Sequence, residues 1–255
     1  MWRYIRIGLL LFILASVAQT AWLARKRSAE WKMTLRVAIY PIAADRSDAT
    51  RQYIAALDKE TFQPIEDFFA REASRYSIAM MPPVDVALAP PVASKPPPAP
   101  IGGSALQAIA WSLRFRSWAW WNDTWKGPPP HVRVFVTYHD PALTRRVPHS
   151  TGLAKGMLGA VNAFAASAQE GQNNVVIAHE LMHTLGATDK YDPSTNQPRR
   201  PDGYGDPDAK PLHPQRRAEI MGGRIAISDT SAEMPASLKQ VVVGDATARE
   251  IGWVK

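Results

Sequence analysis

Val175–Asp192 reads VVIAHELMHTLGATDKYD. His179 and His183 stand four residues apart in it, with Glu180 directly after the first histidine. Residues four apart project from one side of a helix, so both imidazoles can offer a ring nitrogen to a single ion. Val175, Val176, Ile177, Leu181 and Leu185 supply the apolar contacts that would bury such a helix. The pattern predicts a buried helix carrying a zinc site, with Glu180 beside the ion as general base for a water molecule. A catalytic zinc has three protein ligands and one open position, so a third ligand must be found.

Gly186 can take the left-handed conformation that ends a helix, which turns the chain so that a residue three further on approaches the same ion. That residue is Asp189, and carboxylate is an acceptable zinc ligand. In the competing reading Asp189 caps a turn and a distant residue, Glu219 or His213, completes the sphere. The plainer alternative is a core helix with two unligated histidines. It requires a spacing that arises by chance in about one chain in a hundred of this length, and far more rarely with the glycine and aspartate added.

HELMHTLGATD resembles the metzincin zinc peptidase signature HExxHxxGxxH, in the variant where aspartate replaces the third histidine. Metzincins carry a methionine in a tight turn beneath the metal, and Glu219-Ile220-Met221-Gly222-Gly223 is similar to that turn. Gly244–Trp253 resembles the helix that closes the metzincin catalytic domain. The likeness implies an α+β fold: a twisted mixed β-sheet with an active-site helix and a C-terminal helix. It also implies that Gly156–Ala166 is the edge strand that aligns an extended substrate by backbone pairing. No tyrosine closely follows Met221, so the phenol that some metzincins use near the metal is either missing or comes from elsewhere, with Tyr191 and Tyr204 as candidates against the plainer reading that both pack in the loop.

Outside this region, Leu35–Ala43 and His131–Tyr138 alternate as strands, and Val84–Leu88 is a further strand candidate. Asp48–Tyr76 has helical periodicity, with Pro64 starting a second helix. The proline-crowded stretch from Pro82 to Pro100 lacks amide donors and reads mostly as a surface excursion. Gly152–Ala166 suits a bent or edge strand. Ser104–Trp125 is a helix candidate with five tryptophans. Leu106, Ile109 and Leu113 are expected to pack with the indoles under the sheet, against the alternative of an exposed aromatic patch that meets membrane or substrate. Asp192, Asp202, Asp206 and Asp208 lie in the loop Tyr191–Pro214. Oxygen-rich loops can hold calcium, but ordinary Asp-Gly and Asp-Pro turns are the simpler reading.

Charge and composition narrow the function. Of the net charge of +7, residues 1–27 hold Arg3, Arg6, Arg25, Lys26 and Arg27 and no acid, leaving 25 basic against 23 acidic residues, or +2, elsewhere. That distribution points to a membrane and away from nucleic acid. Ile7–Ala24 is uncharged over 18 residues, near the minimum for a bilayer span. It reads as an N-terminal membrane anchor in preference to a signal peptide cut after Ser16-Val17-Ala18. The basic cluster behind it opposes export, so a cytoplasm-facing domain stands as a third arrangement. With no cysteine, thiolate ligands and cysteine nucleophiles are excluded. The expectation is therefore residues 1–27 as anchor or signal and 28–255 as a metallopeptidase-like domain. That domain would be a zinc-dependent endopeptidase of the cell envelope, acting on protein or peptide substrates through His179, His183, Asp189 and Glu180. The alternative class is a non-catalytic, zinc-stabilised, membrane-tethered binding module, against which an intact Glu180 argues, because a structural site needs no base.

Overall fold

The structure, a computed structural model, describes residues 31–100, 104–153 and 157–254. The candidate anchor at 7–24 lies outside them. In chain order the elements are β1 Leu35–Ala43, α1 Asp48–Ala56, α2 Gln63–Arg75, β2 Val84–Leu88, α3 Ala105–Trp121, β3 Val132–His139, β4 Thr151–Leu153, β5 Leu158–Phe164 and α4 Glu170–Leu185. Four two-residue strands follow, β6 Ala218–Glu219, β7 Ile225–Ala226, β8 Ala232–Glu233 and β9 Val241–Val242, and then α5 Asp245–Glu250. The fold is α+β, built on a mixed five-stranded sheet in the order β2-β1-β3-β5-β4. β1, β2, β3 and β5 run parallel, and β4 is antiparallel on the β5 side.

Local sequence explains the principal elements. β1 and β3 are almost continuously apolar, as parallel strands covered on both faces must be. α1 starts at Ser47, whose hydroxyl accepts from the Thr50 amide, and α2 starts with Pro64 in its first turn. α3 opens with a reciprocal capping box between Ser104 and Gln107.

Two apolar layers flank the sheet. On one face, Val37, Ile39, Val134, Val136 and Val161 pack against Ile65, Phe68 and Phe69 of α2 and Ile177, Leu181 and Leu185 of α4. On the other, Tyr40, Phe135 and Leu158 meet Trp111, Phe115 and Ala119 of α3. Fully burying each such side chain contributes about 1.5–3 kcal/mol, so the first layer is what holds α4 in place.

Two expectations require correction and a third is refined. Leu106, Ile109 and Leu113 do not pack under the sheet; they are 78%, 57% and 59% exposed, because Trp111, Phe115 and Ala119 on the opposite side of α3 take that role. The proline-rich stretch runs mostly over the surface, as expected, but it is pinned to the sheet at several points. Ala89 and Val92 are buried, Val92 bridges to Ile42, and Pro97 accepts a hydrogen bond from the Trp111 indole. Finally, the segment read as an edge strand divides in two. β5 is an interior strand, paired on both sides, and the edge belongs to β4.

Among the described residues no helix is long and apolar enough to cross a membrane.

Candidate metal centre

His179 and His183 both lie on α4, and their Nε2 atoms are 3.1 Å apart. α4 ends at Gly186, whose φ of 108° is in the left-handed region. The Gly186 amide donates to the His183 carbonyl and the Ala187 amide to the Met182 carbonyl, a Schellman closure that reverses the chain. The reversal returns Asp189 to the helix, with its Oδ1 3.2 Å from His179 Nε2 and 3.1 Å from His183 Nε2. Among the described residues this is the one group of three histidine or acidic side chains whose ligand atoms converge closely enough to hold a metal ion. The four loop aspartates form no such group. Asp192, for example, is spent on the amide and hydroxyl of Ser194.

The tautomers follow from the partners on the far side of each ring. His179 Nδ1 lies 2.8 Å from the Ile220 carbonyl and His183 Nδ1 2.9 Å from the Ala187 carbonyl. A carbonyl only accepts, so each Nδ1 carries a proton, and in the neutral ring each Nε2 presents a lone pair. Two imidazole lone pairs and a carboxylate oxygen thus face one another with no donor among them. Such a triangle calls for a positive charge at its centre. Its edges of 3.1–3.2 Å are close to the ligand-to-ligand separation of about 3.3 Å in a tetrahedral site with 2.0–2.1 Å bonds. The donor set therefore fits a divalent metal.

The electrostatics agree. Burial opposes a charge on His179, but the Asp189 hydrogen bond, the Glu180 carboxylate and the Ile220 carbonyl together raise its pKa to about 9. Burial likewise pushes Asp189 up, and the hydrogen bonds and charges of the two histidines outweigh it, carrying the carboxyl below its ordinary range. A proton on His179 can stand in for that positive charge, so a metal binding there would displace it.

Glu180 is 5% exposed, and its Oε2 is buried without a hydrogen-bond partner. Burial raises its pKa, and the neighbouring His179 and His183 oppose the rise. An orphaned buried carboxylate oxygen beside these two histidines is available to take or give a proton. β4 covers this side of the helix so closely that a Cβ on Gly152 would lie 2.5 Å from the Glu180 carbonyl and 2.6 Å from His183 Cβ, so only glycine fits.

Met221 is fully buried, in a turn held by Glu219. Glu219 Oε2 accepts from the amides of Met221 and Gly222 at 2.6 and 2.8 Å, and Oε1 accepts from the Gly244 amide and the Thr247 hydroxyl at 3.1 and 2.7 Å. The turn in its own right supports the site, since the Ile220 carbonyl orients His179 and the Met221 carbonyl receives the Lys190 amide. Glu219 is therefore not the third ligand. Nor is His213, which pairs with the Tyr204 hydroxyl at 3.0 Å and with Asp229 at 3.6 Å. Of the two candidate phenols, Tyr191 is at the site, its ring centroid 6.3 Å from that of His179, whereas Tyr204 is committed to His213. Burial and the adjacent Asp189 and Glu180 charges push the Tyr191 hydroxyl up to about 12, so it stays protonated and able to donate.

Glu219→Ala should leave four donors unpaired, three of them buried. The expected loss is about 3 kcal/mol or more in chemical denaturation, together with a drop in metal affinity of about ten-fold or more, as for other groups that orient a metal-binding histidine.

Sequence reasoning missed two contributors. Glu250 of α5 accepts from the Thr188 amide and hydroxyl and from Lys190 Nζ, at 2.6–2.9 Å, clamping the residues on either side of Asp189. The sequence marks Gly152 as part of a strand, but not its close approach to Glu180 and His183. Neither lies near the histidines in sequence, so no local spacing could have flagged them.

A scan against protein-family models and a search of curated proteins each returned no match.

Proposed function

We propose that this chain is a zinc-dependent endopeptidase of metzincin-like fold, tethered at the cell envelope by residues 7–24 with its catalytic domain exported. The observation that carries the reading is the triangle of two imidazole lone pairs and one carboxylate oxygen beside an orphaned, buried carboxylate. A site that merely stapled the fold would have no use for Glu180 and would close its fourth position.

His179, His183 and Asp189 would hold the ion, and zinc bound there would supply Lewis acidity to polarise the scissile carbonyl. Glu180 Oε2 takes the proton of the attacking water and delivers it to the nitrogen of the leaving amine. Burial favours the protonated form of this carboxyl, which suits the second half of that cycle. β4 offers an edge to which an extended peptide can add by backbone pairing. A cavity of about 130 Å³ beside His179, walled by Val175, Val176, Tyr191 and Met234, is suited to an apolar side chain of the substrate.

The test uses the full-length chain, loaded with zinc in detergent and incubated with a panel of unfolded proteins. Cleavage at internal bonds, abolished by chelation and restored by zinc, is expected. Zinc-loaded chain that leaves the whole panel intact would favour the binding module.

A further inference from the structure

α3 carries large apolar side chains on two opposite sides, and the sheet covers only the side carrying Trp111, Phe115 and Ala119. A surface helix normally shows a single apolar stripe, facing the core, with polar residues opposite. Among the described residues nine large hydrophobic side chains are exposed, and five of them, Leu106, Ile109, Leu113, Trp120 and Trp121, are on α3. At 100° per residue they fall within an arc of about 120°. The same rotation places Arg114 on one flank of the arc and Arg116 on the other. No acidic residue occurs between Asp85 and Asp123.

We propose that this stripe lies on an anionic lipid bilayer, with α3 parallel to the membrane plane. Indoles favour the interface between headgroups and acyl chains, and arginines flanking an apolar stripe can reach the phosphates while their stems stay in apolar surroundings.

Topology supplies an independent reason, which rests on the tether reading given above. The described chain enters at Trp31, just before β1. The C-terminal end of α3 returns to that same end of the sheet: Trp120 lines one cavity with Arg133 and Leu158, at the starts of β3 and β5, and Val132 pairs with Val37 of β1. Arg36 and His131 bond each other there, and the Arg36 guanidinium donates to the Pro129 carbonyl. Met33 and Met81, 57% and 55% exposed, are also at this end. Six residues separate Ala24 from Trp31, a reach of about 20 Å when extended. A bilayer held by residues 7–24 is thus close to Trp120 and Trp121. Arg25, Lys26 and Arg27, directly after that segment, favour the same anionic surface. A single attachment augmented by a second apolar and basic contact is the usual route to stable membrane seating.

Because the chain has no cysteine, one introduced thiol can be labelled cleanly. Full-length Leu113→Cys and Ile109→Cys, each carrying an environment-sensitive fluorophore, are reconstituted in vesicles of phosphatidylcholine and phosphatidylglycerol. Leu11→Cys reports on the tether, and Gln52→Cys, exposed on α1, serves as the aqueous reference. The expected result is blue-shifted emission and quenching by spin-labelled lipid at 109, 113 and 11, and neither at 52. Lipid quenching at 11 with aqueous emission at 109 and 113 would overturn the proposal while leaving the tether intact. Aqueous emission at all four positions would remove the tether reading and this one with it. A blue shift at 109 and 113 without lipid quenching, accompanied by energy transfer between labelled chains, would mean that a second copy covers the stripe, and the proposal would be wrong.

Discussion

Glu180→Gln should retain zinc and lose hydrolysis by about 10²–10⁴-fold, the contribution of a positioned general acid–base group. The amide is nearly isosteric with the acid and fits the same buried space. His179, His183 and Asp189 keep their mutual distances of 3.1–3.2 Å, so metal content should match that of the native chain. What disappears is an oxygen able to exchange a proton, and the loss should fall on kcat. The partnerless Oε2 makes the expectation sharp, because a purely structural role for that oxygen predicts almost no effect on turnover. Full activity in Glu180→Gln would sink its assigned role.

The second large effect is expected from His183→Ala. Removing one of three ligands leaves His179 and Asp189, too few for a three-ligand zinc site. The bound metal should be lost at micromolar zinc, and all hydrolysis with it. Stability should also fall, since an ion that binds only the folded state stabilises it by about 4 kcal/mol when free metal exceeds its Kd a thousandfold. For a chain of this size that corresponds to roughly 2–4 °C in Tm per kcal/mol. Chelating the native protein should reproduce most of the shift, while the same chelator should leave the Tm of His183→Ala unchanged. Measuring both separates the metal's contribution from that of the lost side chain.

The parts of the molecule that could be read from sequence were those whose physics is local. β1 occupies the span its apolar pattern predicts, Leu35–Ala43, and Pro64 does begin the second helix. The two histidines needed only the periodicity of one helix. Asp189 followed from a single left-handed glycine, and the hydrogen bonds around Gly186 explain why three residues suffice to bring the carboxylate back.

The misreadings share the opposite property. Nothing in the order of residues 104–125 says which of two apolar sides of α3 meets the sheet; that depends on Phe135 and Tyr40, which arrive from other strands. The edge position of β4 is set by its pairing across Thr151–Leu153 to β5, a short ladder with a weak alternation signal. Glu219 could be singled out as a buried-site candidate, but not its role. Its four donors come from Met221, Gly222, Gly244 and Thr247, and only the first two are neighbours in sequence. The clamp from Glu250 to Thr188 and Lys190 spans some sixty residues and leaves no trace in local spacing.

The central claim is that His179, His183 and Asp189 form one open metal site. X-ray absorption at the zinc edge on the zinc-loaded, full-length chain tests it most directly. The expected spectrum contains two imidazole shells and one carboxylate oxygen at about 2.0–2.1 Å, with one further light ligand from solvent completing four-coordination. A spectrum with fewer than two imidazoles, or one unchanged by Asp189→Ala, would contradict it.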